Sequence, residues 1–152
     1  MARGMKVKIE GLRELDRALG QLPKATGKSV LRRVLKEAGE PIARAARDRA
    51  PKLELHLVEN IDVGTKLTRR QAALHRKTFA DDRASAEVFV GAADPAGVQQ
   101  EFGNERHPPQ PFMRPAWDAT KRQALHIIEH LLWTEIDKAA QRQARKAAKA
   151  GK

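Results

Sequence analysis

The stretch that most restricts the fold of this chain is Gln99–Thr120, which reads QQEFGNERHPPQPFMRPAWDAT. It contains four of the eight prolines in the sequence, Pro108, Pro109, Pro111 and Pro115. The first three hold the residues before them out of the helical region, so this part of the chain must be extended. The fourth suits the first turn of a helix, where the missing proline N–H costs no hydrogen bond. The stretch therefore predicts a stiff, extended connector that leads directly into a helix.

The residues after this connector predict the longest helix of the protein, from about Arg114 to Ala148. Large apolar residues recur there at helical spacing: Leu125, Ile128, Leu131, Leu132 and Ile136. Beyond Asp137 the sequence KAAQRQARKAAKAGK has no large apolar residue, so this end has little to bury. We expect one domain over residues 1–140 and a basic, alanine-rich tail over residues 141–152, which is frayed or held by a partner.

A second long helix is predicted from Lys24 to Ala50. Its apolar stripe consists of Val30, Leu31, Val34, Leu35, Ala38, Ile42, Ala45 and Ala46. Pro41 lies inside this pattern, so we expect either a kink near it or two consecutive helices. A shorter helix is predicted before it, with leucines at positions 12, 15 and 19 and a stop near Gly20.

Three stretches favour β-strands because apolar and polar residues alternate. They are Met5–Glu10, the stretch from Leu53 to Val63, and Ser85–Gly91. In the second, Leu53–Leu57 alternates, and a register change near Val58 leaves open that a loop precedes the true strand around Asn60–Val63. The polar stretch KLTRRQAALHRKTFADDR lacks a clear period and is interpreted as a hairpin arm or mobile loop. The order β-α-α-β-β-α predicts an α+β fold, in which a small, mainly antiparallel sheet packs against a kinked helix and a long C-terminal helix.

The high positive charge of the chain restricts the kinds of partner that it favours. A net charge of +11 and an isoelectric point near 10.4 favour polyanions or acidic proteins as partners. Candidate contacts with DNA or an acidic partner are Arg69, Arg70, Arg76, Lys77, Arg142, Arg145 and Lys146. A solvated basic face is the simpler alternative, because charge alone reads no sequence. Without cysteine, a signal-like N-terminus or a membrane-length apolar run, we expect a soluble protein made in a cytoplasm.

Evidence for catalysis is limited to one motif. On a helix, HIIEH would place His126 and His130 on one face with Glu129 beside them, the arrangement of some zinc peptidases. A catalytic site also needs a third ligand and a cleft. The chain contains no Gly-x-Ser-x-Gly motif and no phosphate-binding loop. We therefore expect no enzyme, no metal and no cofactor, and a zinc hydrolase is an alternative that rests on this segment alone.

Two motifs in the proline-rich stretch resemble those of a known family. Glu101-Phe102-Gly103, followed by Pro111–Ala116 (PFMRPA) at the start of a long helix, is similar to the HK97 gp10-like family of tailed-phage proteins. The earlier order, with Ala50-Pro51 and then Leu57–Ile61, fits the same frame. The Thr-Gly usual in that family is replaced by KLELH, and Asn104 stands where Thr or Ser is usual. The resemblance extends over about residues 12–140.

The resemblance implies a structural virion protein, namely a tail-completion, tail-terminator or neck component that forms a ring, usually sixfold, at the head–tail junction. Its implied partners are further copies of the chain, the tail tube, head-closure or neck proteins and passing DNA, with no membrane and no small-molecule substrate. Within Gln99–Arg114, the expected subunit or tail contacts are Glu101, Phe102, Gly103, Arg106, Pro109, Pro111, Phe112 and Arg114. A free, basic nucleic-acid-binding protein is the alternative function.

The aromatic residues of this stretch allow a simpler interpretation. Phe102, Phe112 and Trp117 would then only close the core, and we favour this for Phe112 and Trp117 because large aromatic side chains are usually well buried. The proline-bound loop NERHPPQ would still be exposed and preorganised for a contact.

Overall fold

The computed structural model describes residues 11–52, 55–79 and 86–151. Along the described chain the elements are α1 (Leu12–Gly20), α2 (Lys24–Arg49), α3 (Leu55–Glu59), β1 (Ile61–Gly64), α4 (Arg69–Thr78), β2 (Phe89–Ala92), α5 (Ala96–Phe102) and α6 (Met113–Ala150). The predicted α+β class is confirmed, with helices dominating and β1 and β2 forming a small antiparallel sheet. The predicted strand Met5–Glu10 lies outside the described residues.

Helices α2 and α6 form the centre of the fold as an antiparallel pair. At one end Val30 shares a core cluster with Ile136, and at the other Ala46 shares one with Phe112. Since α6 has 38 residues, it is about 57 Å long and continues through the basic tail to Ala150. Within the described residues, no helix is both long and apolar enough to cross a membrane.

Helix α2 continues through Pro41, so the alternative of two consecutive helices is wrong. A proline removes one hydrogen bond to the carbonyl four residues earlier, here that of Glu37, which is exposed and can be solvated. On both sides of the proline, Ala38 and Ile42 are buried against Ala124 of α6, and this packing keeps the helix in one piece. The predicted kink stays a prediction.

The sheet packs on α2 at a glycine. Strands β1 and β2 pair with Ile61 opposite Ala92 and Val63 opposite Val90. A Cβ atom on Gly39 would lie 2.8 Å from Val63 Cγ1 and 3.1 Å from Val90 Cγ2. Both strands therefore approach the α2 backbone more closely than any other residue at position 39 would allow. The predicted strands at Asn60–Val63 and Ser85–Gly91 are right in place, with ends shifted to Ile61–Gly64 and, among the described residues of the second stretch, to Phe89–Ala92. Ser85 lies outside the described residues.

The prediction of a strand at Leu53–Leu57 is wrong over the part that the structure describes, because Leu55–Glu59 forms the helix α3. Leu57 is fully buried in the cluster that contains Ala50 and Ile61. A single helical turn is enough to point this side chain inward between α2 and β1. Alternation over five residues does not distinguish this turn from a strand.

The prediction of a hairpin arm or loop after β1 is also wrong, because residues 69–78 form α4. Thr68 and Gln71 form a capping box at its start. The Gln71 N–H donates to Thr68 Oγ1 over 3.3 Å, and the Thr68 N–H donates to Gln71 Oε1 over 3.1 Å. This reciprocal pair satisfies two backbone donors and begins a helix that has no buried residue of its own.

Candidate interaction surface

The start of α6 is held by a carboxylate from α5. Oε2 of Glu101 accepts the backbone N–H groups of Phe112 at 2.8 Å and Met113 at 2.9 Å, and Oε1 accepts that of Arg114 at 3.1 Å. The first N–H groups of a helix lack partners within the helix, and Phe112 at the N-cap offers no side-chain hydrogen bond. Glu101 therefore caps α6 from another element.

Arg114 extends this network to the surface. Its Nε donates to Glu101 Oε1 over 3.0 Å, and its guanidinium lies 5.1 Å from the ring centroid of Phe102. Burial by itself raises the pKa of Glu101, but the hydrogen bonds from the N–H groups of Met113, Phe112 and Arg114 and from the Arg114 side chain outweigh it, so the pKa is lowered. The site therefore stabilises the ionised carboxylate, as expected at the positive end of a helix dipole.

Gly103 turns the chain from α5 into the connector, and only glycine fits there. Its φ is +74°, and a Cβ atom would lie 2.7 Å from Pro109 N and 3.1 Å from His107 O. The conformation and the available space both exclude a side chain. The Glu-Phe-Gly motif thus consists of a buried cap, an exposed aromatic ring and an obligatory turn.

The loop that follows is fixed by its own hydrogen bonds. Asn104 Oδ1 accepts the N–H groups of Arg106 at 2.8 Å and His107 at 3.0 Å. The Asn104 N–H donates to His107 O over 3.1 Å, and the Gln110 N–H donates to Gln100 O over 2.7 Å. Asn104 therefore closes the loop with its side chain. This agrees with the expectation of a stiff, exposed connector.

The aromatic residues divide between the core and the surface. Phe112 is 1% exposed and lies with Leu57 and Ala116, so its predicted place in the core is confirmed. Trp117 is 52% exposed, so the same prediction for it is wrong. It follows the buried Ala116 by one residue, about 100° around α6, and this rotation takes it off the buried face.

An exposed patch on α5 adds Val98, which was not identified from the sequence, to the predicted contact residue Phe102. Val98 and Phe102 are 61% and 64% exposed, and they lie four residues apart on one face of α5. With the loop Asn104–Pro109 and Arg114, they form what we call the contact surface. The sequence signal that could have revealed this patch was the spacing of Val98 four residues before Phe102, which places both on one face of a helix. Glu101 and Phe112 were expected to be contacts but are buried, so they support this surface from below.

The predicted basic residues lie in two separate places. Four exposed ones are on α4, which is bonded to the sheet by a 3.1 Å hydrogen bond from Gln71 Nε2 to Ala92 O. The sheet packs on the segment of α2 that contacts Ala124 of α6. Ala124 therefore marks the level along α6 at which α4 and its basic residues lie. Arg142 is about 27 Å further along α6 at 1.5 Å per residue, and Arg145 and Lys146 follow it. The structure therefore does not join the two groups into one patch.

The HIIEH segment lies on α6, as predicted. The rings of His126 and His130 are stacked with their centroids 5.3 Å apart, and both residues are exposed. No group of three histidine, cysteine, aspartate or glutamate residues suited to a metal occurs among the described residues. Within that part of the chain, His126 and His130 therefore do not form a metal site with a third residue, Glu129 included.

Comparison with known proteins gives one match. Residues 13–103 match the model of a protein family described as "Bacteriophage HK97-gp10, putative tail-component". The match runs from α1 to Gly103, so it includes the Glu-Phe-Gly motif and ends before PFMRPA. Neither a curated protein nor a solved structure matches the chain.

Proposed function

Because the chain belongs to the HK97-gp10-like family of bacteriophage tail components, we propose that it is a tail-completion, tail-terminator or neck protein that forms a ring at the head–tail junction. A tail component is a structural part of the virion, and structural tail components are not a class of enzyme. The proposed partners are further copies of the chain, the tail tube and the head-closure proteins.

The observation that carries this proposal is the contact surface. Apolar side chains at Val98 and Phe102 are exposed beside a loop whose shape is set by Asn104 and Gly103. A loop that is already ordered loses little conformational entropy when it docks, so more of the contact energy appears as affinity. Arg114 adds a cation beside the exposed ring. Such a surface suits a specific protein contact.

In a closed ring, this surface would also have to overcome the repulsion between neighbouring copies. In a ring, each copy presents one patch to the next copy and a different patch to the previous one. A net charge of +11 on every copy opposes their association, so the contact must supply apolar burial or local charge pairing. The contact surface offers both in one place, through Phe102 and Arg106.

Complementation of a phage that lacks this chain tests the proposal. Plasmid-supplied Phe102→Asp and Arg106→Glu variants should reduce the fraction of particles with joined heads and tails, counted by electron microscopy. Arg32→Glu, the same charge reversal at an exposed position of α2, is the matched control and should assemble normally. Circular dichroism of each purified variant confirms folding. Normal assembly by both contact-surface variants would refute the assigned contact.

A second candidate function is contact with a polyanion through α4. This helix carries Arg69, Arg70, Arg76 and Lys77, and among the described residues none of these cations is paired with a carboxylate. A cation on a helix without buried residues is free to contact DNA or an acidic protein.

Salt-dependent binding to duplex DNA tests this second function. Four phosphate contacts predict a slope of about −3.6 in a plot of log affinity against log salt concentration. Replacing the four cations by alanine should abolish most of that slope. The corresponding replacement of Arg142, Arg145 and Lys146 serves as the comparison. An unchanged slope in the α4 variant would exclude α4 as the DNA contact.

A further inference from the structure

A large apolar groove lies between α2, β2 and α6. It has a volume of about 950 Å³. Its lining includes Leu35 and Ile42 from α2, Val90 from β2 and Val88 just before β2. An apolar surface that gathers side chains from three elements is typical of a site for contact with another molecule.

Helix α6 lines the groove with one continuous face. The residues that it contributes there include a series spaced three or four positions apart: Arg114, Trp117, Lys121, Leu125 and Ile128. This spacing places them on the same side of the helix. The buried residues Ala116 and Ala124 each precede one member of the series by a single position, about 100° around the helix. The groove face is therefore distinct from the face that α6 buries in the core, and its tryptophan is 52% exposed.

The charged side chains in the described lining of the groove are all cations. They are Arg114, Lys121 and Arg122. Arg114 is bonded to Glu101, and Lys121 donates to Asp118 over 3.0 Å. Arg122 is exposed and, in the part of the chain that the structure describes, has no carboxylate within ion-pair distance. A ligand in this groove therefore gains from carboxylates placed beside its apolar groups.

We propose that the groove binds an acidic, apolar segment of another protein. The segment is extended, lays alternate apolar side chains against Trp117 and Leu125, and places a flanking carboxylate beside Arg122. Strand β2 favours an extended form, because it pairs with β1 along one edge and, among the described residues, with no strand along the other. A strand that joins such an edge gains main-chain hydrogen bonds, and the groove beside it selects the side chains. Tryptophan and arginine are also the residues that most often dominate binding at protein interfaces.

The charges of the chain disfavour a second copy as the occupant. Two chains of charge +11 repel each other. The exposed apolar pair Val98 and Phe102 lies beside the cation Arg114, so inserting this pair into the groove of another copy would bring like charges together. The inference does not depend on the proposed function, because it rests on the lining and charge of the groove alone.

Selection from a library of random peptides displayed on yeast tests the proposal, with the full chain as the labelled target. The selected peptides should carry apolar residues at alternate positions, flanked by aspartate or glutamate. Synthetic copies of them should bind Arg122→Glu about tenfold or more weakly than the natural protein, because like charges then meet at the groove. Arg142→Glu makes the same charge reversal about 30 Å further along α6 and should bind as the natural protein does.

Three results of this selection would overturn the proposal. They are the enrichment of no peptide, the enrichment of basic or uncharged peptides, and equal binding of the acidic peptides by Arg122→Glu and Arg142→Glu. The last result would mean that the peptides respond only to the overall charge of the chain. Circular dichroism shows whether each variant is folded.

Trp117 provides an independent readout in a Trp133→Phe background, since the chain has two tryptophans. A selected peptide that covers the ring should shift its emission to shorter wavelength and lower its quenching by acrylamide. Binding that leaves both unchanged would place the peptide elsewhere and contradict the proposal. Sedimentation of the free protein tests the other occupant. A dimer that the peptide dissociates would assign the groove to a second copy and would also contradict the proposal.

Discussion

The replacement Glu101→Gln tests whether one carboxylate joins α5 to the start of α6. Glu101 is 5% exposed, and its two oxygens accept three backbone N–H groups and the Arg114 side chain. Glutamine keeps the size of the side chain but removes the charge. It also replaces one acceptor oxygen by an NH₂ group that faces donors.

The magnitude follows from the interactions that are lost. Losing an N-cap acceptor costs about 0.5–2 kcal/mol, and a hydrogen bond to a charged group is worth about 1.5–3 kcal/mol. These contributions overlap at one side chain, so we expect Glu101→Gln to lower the free energy of unfolding by about 2–3 kcal/mol. For a chain of this size the melting temperature should fall by roughly 4–12 °C.

Urea unfolding followed by circular dichroism measures this change. The matched control is Glu105→Gln, which makes the same chemical change at an exposed position in the adjoining loop. The control should remain within about 0.5 kcal/mol of the natural protein, as is usual for surface substitutions. If Glu101→Gln is as stable as the control, the carboxylate does not hold the two helices together and the reasoning is wrong.

The same variant predicts a pH dependence. The pKa of Glu101 is lowered in the folded protein from its ordinary value of 4.5. The ionised carboxylate therefore adds stability above the unfolded pKa, and this stability is lost as pH falls through the folded pKa. The difference in unfolding free energy between the natural protein and Glu101→Gln should be constant near neutral pH and shrink below about 4.5. A difference that does not vary with pH would contradict the role of the charge.

Four further substitutions test three separate parts of the structure. Gly103→Ala should lower the free energy of unfolding by about 1–3 kcal/mol, because alanine is strained at φ +74° and meets Pro109; wild-type stability in urea would refute this. Thr68→Ala should cost α4 about 1 kcal/mol and increase amide hydrogen exchange there without altering global unfolding, whereas exchange equal to that of the natural protein would exclude the capping box. Phe112→Ala should cost about 3–5 kcal/mol, and Trp117→Ala much less; equal losses would contradict their different burial.

The long helices were predictable from sequence because their packing is regular. Apolar residues recur on one face of α2 and α6 over many turns, so local composition and tertiary burial indicate the same structure. The short elements were less predictable. At Leu55–Glu59 a brief alternation favoured a strand, although the burial of Leu57 is achieved by one helical turn. At α4 the signal was present as Thr68 and Gln71 at capping-box spacing.

The sequence predicted where the candidate site lies. It did not predict the role of each residue in it. The prolines and the Glu-Phe-Gly motif indicated where the chain is stiff. They did not show that Glu101 bonds to N–H groups 11 to 13 residues away, because that contact depends on how α5 meets α6. The exposure of Trp117 was missed for a similar reason. Its exposure depends on which side of α6 the neighbouring elements cover, and residue type does not reveal that side.

The most direct test of the proposed function is the position of the protein in the virion. A compact tag placed after Lys152 can be located by image averaging of purified phage particles that retain infectivity. A protein of the head–tail junction should give additional density arranged as a ring at that position, with the tagged chain detected in the same particles by mass spectrometry. Density elsewhere on the particle, or particles that assemble normally and contain none of the chain, would contradict the proposed function.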